Sequence, residues 1–259
     1  MKIMKMLAMS LMPMMLTLGS AVAKETAPKV RFNQLPGWLQ EDAREAFPEM
    51  RHKGEIRQVL DGKVFVWSTS GYSPVLFQQK NGSAYYISSI DAKNDQANQW
   101  TKLGILPGKD ASMTKELRVA FYNKAFDEPD FGFQYNKPEK GKTVLLYSAI
   151  DCGYCVMLEK ALHKAGVPFI VVPTTLSGKP SREFKNVYCA SDKPKAWTEM
   201  MTKRTYVSAK DPDCDMPYAE FDLLGEVLAT GSTPAGLMPD GTVLDGSELW
   251  GAYGLKKPK

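Results

Sequence analysis

The hydrophobic pattern of the first third of the chain predicts a small helix followed by short strands. Apolar residues recur at helical spacing over residues 37–46, and Pro48 ends this segment. Four strand-like runs follow, at 56–60, 64–69, 74–77 and 84–87. Asp61-Gly62 and Asn81-Gly82 separate neighbouring runs, and both dipeptides favour tight hairpin turns. We therefore expect a helix and a meander of about four strands.

The next segment is predicted to connect two parts of the chain. Residues 91–110 are polar and weakly patterned, so we expect a connection there. Residues 112–126 have helical periodicity, and a helix of that length would reach roughly 20 Å, enough to hold two domains apart. An ordinary surface helix of the second domain fits the same pattern equally well.

The second half has alternating strand and helix patterns. A strand at 131–135 is followed by a buried strand at 143–148, a helix at about 152–164 and a buried strand at 167–172 that Pro173 ends. This order predicts a parallel βαβ unit. The remaining predicted elements are helices at 181–190, 195–205 and 218–230 and a closing hairpin at 235–244. We thus expect an α/β domain behind a small α+β domain.

Composition excludes two broad classes. Of 259 residues, 44% are hydrophobic and 24% charged, which excludes wholesale disorder and suits one large or two modest domains. The 33 basic and 29 acidic residues give a net charge of +4, too balanced to indicate binding to nucleic acid.

The N-terminus has the three parts of a secretory signal peptide: basic residues, an apolar stretch and a small-residue cleavage site. They are Lys2 and Lys5, residues 6–18, and Ala21-Val22-Ala23. We expect cleavage between Ala23 and Lys24, which leaves a soluble, exported chain. A membrane anchor is disfavoured because the stretch is shorter than the roughly 20 residues a spanning helix needs and Pro13 interrupts it.

The candidate chemistry lies at Cys152-Gly153-Tyr154-Cys155, where a buried strand meets a helix. The helix N-terminus stabilises a thiolate on Cys152, and Cys155, one turn on, can displace a mixed disulfide formed there. Half of a zinc site and a plain structural disulfide are the alternatives. Zinc would need two more ligands, and we expect surface roles for His52 and His163, the two histidines. An exported CxxC at this junction favours redox chemistry, and we predict neither a metal nor a cofactor.

Three stretches carry a resemblance to a known family. They are residues 131–155 (FGFQYNKPEKGKTVLLYSAIDCGYC), residues 186–193 (NVYCASDK), and Gly231-Ser232-Thr233-Pro234-Ala235 followed by a hairpin turning at 240–242. In order and spacing they resemble the bacterial periplasmic DsbC/DsbG protein-disulfide isomerases over residues 131–250. Over residues 24–110 the resemblance is architectural only.

The resemblance implies a thioredoxin fold with an inserted helical subdomain. It implies a division into a signal peptide (1–23), a dimerisation domain (24–110), a linker helix (111–128) and a catalytic domain (129–259). Cys152 would be the nucleophile and Cys155 the resolving thiol, with Gly153 and Tyr154 completing the motif.

Two further features follow from the same resemblance. The Thr233-Pro234 bond would be cis and face the active site, pairing with an extended substrate segment. Cys189 and Cys214 would form a structural disulfide; a second redox pair is the disfavoured alternative, because neither has a CxxC partner.

The function that this resemblance implies is that of an exported thiol–disulfide isomerase acting on misoxidised proteins in the periplasm. A membrane electron donor would keep the dithiol reduced. We expect a homodimer formed through residues 24–110, because Phe65, Trp67, Tyr85 and Tyr86 are large apolar groups for so small a domain. The alternatives are a dithiol oxidase, a client-specific reductase, and a dimeric holdase chaperone with a vestigial CxxC.

Two residues depart from related patterns. Asp151 places a carboxylate beside Cys152 where the family has a threonine, and we expect it to raise the Cys152 pKa by less than about one unit. Leu146 lies where thioredoxin has a buried aspartate, which favours the isomerase branch over a thioredoxin-like reductase.

Overall fold

Two β-sheets, one in each half of the chain, organise the molecule. The computed structural model describes residues 28–69, 74–90, 94, 98–103, 109–205, 209 and 214–257. The predicted signal peptide and its cleavage site between Ala23 and Lys24 lie outside these residues. Over the described ranges, no helix combines the length and apolar character needed to cross a bilayer.

The first sheet has seven antiparallel strands that follow one another in chain order. They are β1 (Lys29–Val30), β2 (Glu55–Val59), β3 (Val64–Ser68), β4 (Val75–Lys80), β5 (Ser83–Ile87), β6 (Trp100–Lys102) and β7 (Lys109–Asp110). The Asn81-Gly82 turn joins β4 to β5, and both residues have positive φ, at 51° and 76°. This is the backbone that a two-residue hairpin turn requires, and it confirms the hairpin that the dipeptide predicts.

The sequence prediction of a bare connection at 91–110 is wrong, because β6 and β7 lie within it. Trp100 of β6 is fully buried, and its indole N–H donates to the Thr114 hydroxyl at 3.0 Å. Strands of three and two residues are too short to show an alternating pattern. The feature of the sequence that indicates buried structure in this polar segment is the tryptophan at position 100.

Each face of the first sheet packs against a different layer, as the period of two in β-strands dictates. Phe65 and Phe77 point to the side covered by α1 (Gly37–Ala46), which has the predicted bounds. Val64 and Leu76 point to the opposite side and join the larger core of the second half. Phe65 and Trp67 are thus buried within one chain, and the expectation that they need a partner surface is wrong for these two, whereas Tyr85 and Tyr86 are half-buried.

Helix α2 (Ser112–Asp127) packs along the second half of the chain. Its Arg118 side chain is buried and donates to the Val227 carbonyl at 3.0 Å, while the Tyr122 hydroxyl donates to the Thr143 carbonyl at 2.8 Å. The helix is therefore part of this core. The domain boundaries at residues 110 and 128 stay predictions.

The second sheet has five strands in the order β12-β11-β9-β10-β8. The strands are β8 (Phe133–Tyr135), β9 (Leu145–Ala149), β10 (Phe169–Thr174), β11 (Ala235–Leu237) and β12 (Val243–Leu244). The helices are α3 (Gly153–Ala165), α4 (Arg182–Tyr188), α5 (Lys193–Lys203), α6 (Tyr218–Leu228) and α7 (Glu248–Ala252). Strands β9 and β10 are parallel and α3 joins them, whereas β8 and β11 run antiparallel to their neighbours. With α4 to α6 inserted between β10 and β11, this is the predicted thioredoxin-like α/β fold.

Pro173 lies inside β10, so the prediction that it ends the strand is wrong. The Thr174 carbonyl accepts a hydrogen bond from Ile150 N–H on the β9 side, at 3.0 Å. Because backbone groups alternate along a strand, the Pro173 nitrogen faces the opposite side. There the pairing with β8 has already ended at Val171, and no ladder hydrogen bond is lost.

Candidate active site

The CxxC motif lies at the junction between strand β9 and helix α3. Cys152 is the N-cap of α3, with φ −95° and ψ 118°, and its sulfur accepts a hydrogen bond from the Cys155 backbone N–H at 3.2 Å. Both cysteines are buried and neither forms a disulfide. The sulfur of Cys152 therefore takes the place of the side-chain oxygen that usually caps a helix.

The two thiols are shifted in opposite directions. A hydrogen bond from the Cys155 thiol, with help from the Thr233 side chain and the amides of Cys155 and Tyr154, lowers the pKa of Cys152 to about 6 despite burial. Burial and the hydrogen bond to Cys152 raise the Cys155 pKa far above that of a free thiol. Near neutral pH the pair is consequently one thiolate and one thiol.

A cis peptide bond between Thr233 and Pro234 faces this pair. The Cys152 sulfur lies 3.4 Å from the Thr233 carbonyl oxygen, a contact in which the thiol form donates. The Thr233 hydroxyl is also buried, and the Thr233 side chain helps to lower the pKa of Cys152. The loop thus brings backbone and side-chain polar groups directly to the nucleophile that the sequence predicts.

Exposed apolar side chains surround the motif. Across the part of the chain that the structure describes, the large hydrophobic residues at the surface are Tyr154, Leu176 and Met157, exposed by 71%, 59% and 42%. Tyr154 and Met157 lie on the first turns of α3, and Leu176 follows β10. We call these three residues the apolar rim.

Asp151 has a role that the sequence reasoning missed. Its carboxylate accepts a hydrogen bond from the Leu176 backbone N–H at 2.8 Å. The main causes of the lowered Cys152 pKa are the Cys155 thiol, Thr233 and the helix amides. Asp151 therefore ties the loop after β10 to the start of the motif and holds Leu176 in the apolar rim.

A second carboxyl group escaped the sequence reasoning. Glu159 of α3 is fully buried and binds Ser148 of β9 and Trp197 of α5. Leu146, where thioredoxin has a buried aspartate, is itself buried. The available signal was a glutamate four residues after Cys155, and hence on the buried face of the predicted helix.

The remaining candidate residues are the second pair of cysteines and the two histidines. Cys189, the C-cap of α4, is disulfide-bonded to Cys214, with a Cα–Cα distance of 5.6 Å. His163 is half-buried and packs against the stacked rings of Tyr135 and Phe169, whereas His52 is exposed.

Fold and site together define a class: a thioredoxin-like domain with a thiolate–thiol pair beside a cis-proline loop. Comparison with known proteins shows which proteins the chain is similar to. The thiol:disulfide interchange protein DsbC of Escherichia coli (strain K12) is 28% identical over 118 residues, which are 43% of this chain and 49% of the relative. A probable DsbC of Bordetella parapertussis is 24% identical over 141 residues, 52% of this chain and 49% of that protein. The predicted resemblance to DsbC is confirmed.

No protein-family model matches the chain. A disulfide interchange protein from Neisseria gonorrhoeae, known from its crystal structure, has a TM-score of 0.40 and 25% identity; the match covers 49% of this chain and 98% of that one. The match to the curated relatives spans about half of their length.

Proposed function

We propose that this chain is a periplasmic thiol:disulfide interchange protein that isomerises or reduces wrong disulfides in exported proteins. One observation carries the proposal: Cys152 caps helix α3 and accepts a hydrogen bond from the Cys155 backbone N–H at 3.2 Å, while Cys155 is a free thiol buried one turn on. This arrangement lowers the Cys152 pKa to about 6 and raises the Cys155 pKa. A thiolate is the attacking form of cysteine, and a neighbouring thiol that stays protonated is held back for the second step.

The reaction follows from this division of roles. The Cys152 thiolate attacks a substrate disulfide, forms a mixed disulfide and releases one substrate sulfur as a thiolate. If a different substrate thiolate then attacks the substrate sulfur of the mixed disulfide, Cys152 leaves as a thiolate and a new substrate disulfide has replaced the original one. If Cys155 attacks instead, the Cys152–Cys155 disulfide forms and the substrate is reduced by two electrons.

The surroundings of Cys152 suit an extended, apolar polypeptide. The Thr233-Pro234 loop lies against the sulfur, where strand-like pairing would hold a substrate segment in line for attack. The apolar rim provides exposed hydrophobic contacts near the motif. Misfolded proteins expose such apolar segments, whereas folded ones bury them.

The partners and location are part of the proposal. The N-terminal signal peptide would deliver the chain to the periplasm, where the Cys189–Cys214 disulfide persists as a structural bond. Because reduction of substrates oxidises the dithiol, an electron donor must reduce it again, and we propose a membrane protein for this role. The domain of residues 24–110 would form the homodimer; its two edge strands, β1 and β7, are each two residues long.

Refolding of a scrambled-disulfide protein tests the function. In a glutathione buffer, the wild type should accelerate recovery of the native substrate, and Cys152→Ala should not. Suppression of aggregation that survives in Cys152→Ala would reveal an additional chaperone activity. A wild type that does not accelerate recovery contradicts the isomerase proposal, and net oxidation of a reduced substrate would favour a dithiol oxidase.

A further inference from the structure

Glu159 is a fully buried carboxyl group for which the reaction above has no role. Its Oε1 accepts a hydrogen bond from the Ser148 hydroxyl at 2.5 Å, and its Oε2 accepts one from the Trp197 indole N–H at 2.8 Å. A buried carboxyl held by neutral donors costs folding free energy when it ionises. Such a group needs an explanation beyond packing.

The position of Glu159 relates it to the dithiol. Cys155 and Glu159 are four residues apart on α3 and both have no exposed surface. Residues at this spacing lie on one helix face, with Cβ atoms about 5–6 Å apart. Burial first, and then the negative charge of Cys152, raise the pKa of Glu159 to about 7. The Glu159 carboxyl and the Cys152 thiolate therefore influence each other's ionisation.

Resolution of a mixed disulfide creates a need that this position can meet. Cys155 must lose a proton to attack, yet its thiol is shut off from solvent and its pKa is raised by burial. When Cys152 is in a mixed disulfide it has no charge, so the repulsion that disfavours a charged Glu159 is gone. At that stage the Glu159 pKa falls, and a larger fraction of this carboxyl group, one helical turn from the thiol, is ionised.

We propose that Glu159 accepts the proton of Cys155 when Cys155 resolves a mixed disulfide; this role rests on the proposed function. The proton moves from the Cys155 sulfur to the Glu159 carboxylate, and the Cys155 thiolate attacks the Cys152 sulfur. The Cys152–Cys155 bond forms, the bond from Cys152 to the substrate sulfur breaks, and the electron pair leaves on that sulfur. Glu159 then returns its proton to solvent before the next cycle.

The other titratable groups around Glu159 are less suited to this role. They are Cys152 and His163 on α3, Tyr135 on β8 and Tyr253 after α7. Burial, with the charge of Glu159 as a further cause, raises the pKa of both tyrosines, which keeps them protonated. Burial lowers the pKa of His163, but this residue lies eight positions after Cys155, twice as far along the helix as Glu159.

Two-phase thiol exchange separates the steps. Ellman's reagent converts Cys152 of the reduced protein to a mixed disulfide in a first release of thionitrobenzoate, and Cys155 displaces the second in a slower phase. Near neutral pH we expect Glu159→Gln to slow the second phase by about tenfold or more without slowing the first. The wild-type second phase should show an inflection near the Glu159 pKa of about 7, and Glu159→Gln should lose it.

Two further variants keep the test specific. The hydrogen bond from the Trp197 indole N–H to Oε2 lowers the Glu159 pKa. Trp197→Phe removes this donor and should raise that pKa, so the inflection should move to higher pH. Glu183→Gln, at an exposed position of α4, should change neither phase. An unchanged second phase in Glu159→Gln overturns the role of Glu159. If that variant fails to fold, an inflection that Trp197→Phe does not move overturns it instead.

The same traces tell the two proposals apart. A wild type without a second phase, or a second phase that persists in Cys155→Ala, would contradict the dithiol mechanism and the Glu159 role together. A normal second phase that depends on Cys155 and ignores Glu159 would contradict the Glu159 role alone.

Discussion

The two cysteines at the start of α3 have the same side chain but pKa values shifted in opposite directions, because their hydrogen bonds and their burial differ. Cys152 lies at the helix N-terminus, where amides and the Cys155 thiol donate to it, and its pKa falls to about 6. Cys155, one turn further, is buried, and its thiol donates a hydrogen bond to Cys152, which keeps it protonated. The difference in ionisation comes from depth and hydrogen bonding.

Alkylation of Cys152 should therefore report its thiolate. The rate should fall as the pH drops through about 6, since only the thiolate reacts. Cys155→Ala removes the largest stabilising hydrogen bond and should move the midpoint to higher pH. Cys155→Ser keeps a donor and should move it less. Equal midpoints in the alanine and serine variants would mean that the Cys155 thiol does not stabilise the thiolate.

The sequence indicates some of these residues better than others. The CxxC pair is visible because its spacing is specific and it follows a buried strand. The sequence shows the charge of Asp151 beside Cys152, whereas the hydrogen bond from Leu176 to Asp151 depends on a loop 25 residues away. Glu159 was missed because its partners come from β9 and from the inserted helix α5, which no local pattern joins to α3.

At the scale of elements, close approach between α2 and β8 shapes the second half. Gly132 lies immediately before β8, and a Cβ there would come within 2.2 Å of the Ala125 carbonyl oxygen. That oxygen belongs to the backbone of α2, so no side-chain rotation can relieve the clash. The glycine is therefore required where the chain leaves α2 and starts the sheet that carries the active site.

Gly132→Ala should accordingly destabilise the protein by about 1–3 kcal/mol, the usual cost of overpacking. Gly37→Ala is the matched control, because a Cβ at the start of α1 meets nothing within 4 Å and alanine favours helix. Urea unfolding of both variants measures the difference. Equal stability of the two variants would contradict the close approach.

Elements with long periodic patterns follow from the sequence, whereas those fixed by tertiary pairing do not. Helix α1 has the predicted bounds, and the predicted βαβ order is that of β9, α3 and β10. Strands β6 and β7 have too few residues for a pattern. Pro173 is tolerated in β10 because of where β8 stops, which a local reading of the sequence does not contain.

At the scale of the molecule, the two halves share buried contacts. The Leu60 backbone N–H donates to the Glu220 carboxylate at 2.8 Å, and Lys124 pairs with the same carboxylate at 3.2 Å. The face of the first sheet that carries Val64 and Leu76 belongs to the core of the second half. Within one chain this face of the sheet is therefore covered, and the edges of the sheet are what a second copy would pair with.

Light scattering should give twice the mass of one mature chain if the proposed homodimer forms. Deleting β1 removes one edge strand of the first sheet and should shift the population toward monomer if β1 carries the contact. A wild type that stays monomeric at micromolar concentration would contradict the dimer and leave the chemistry of the dithiol as it stands.

Covalent trapping tests the central claim most directly. A tagged Cys155→Ala variant, exported in a bacterium, lacks the resolving thiol and should be recovered with protein adducts joined through Cys152. Reductant should release the adducts, and a Cys152→Ala/Cys155→Ala variant should form none. Absence of adducts, or adducts that mass spectrometry maps to Cys189 or Cys214, would contradict the assignment of Cys152 as the nucleophile toward misoxidised proteins.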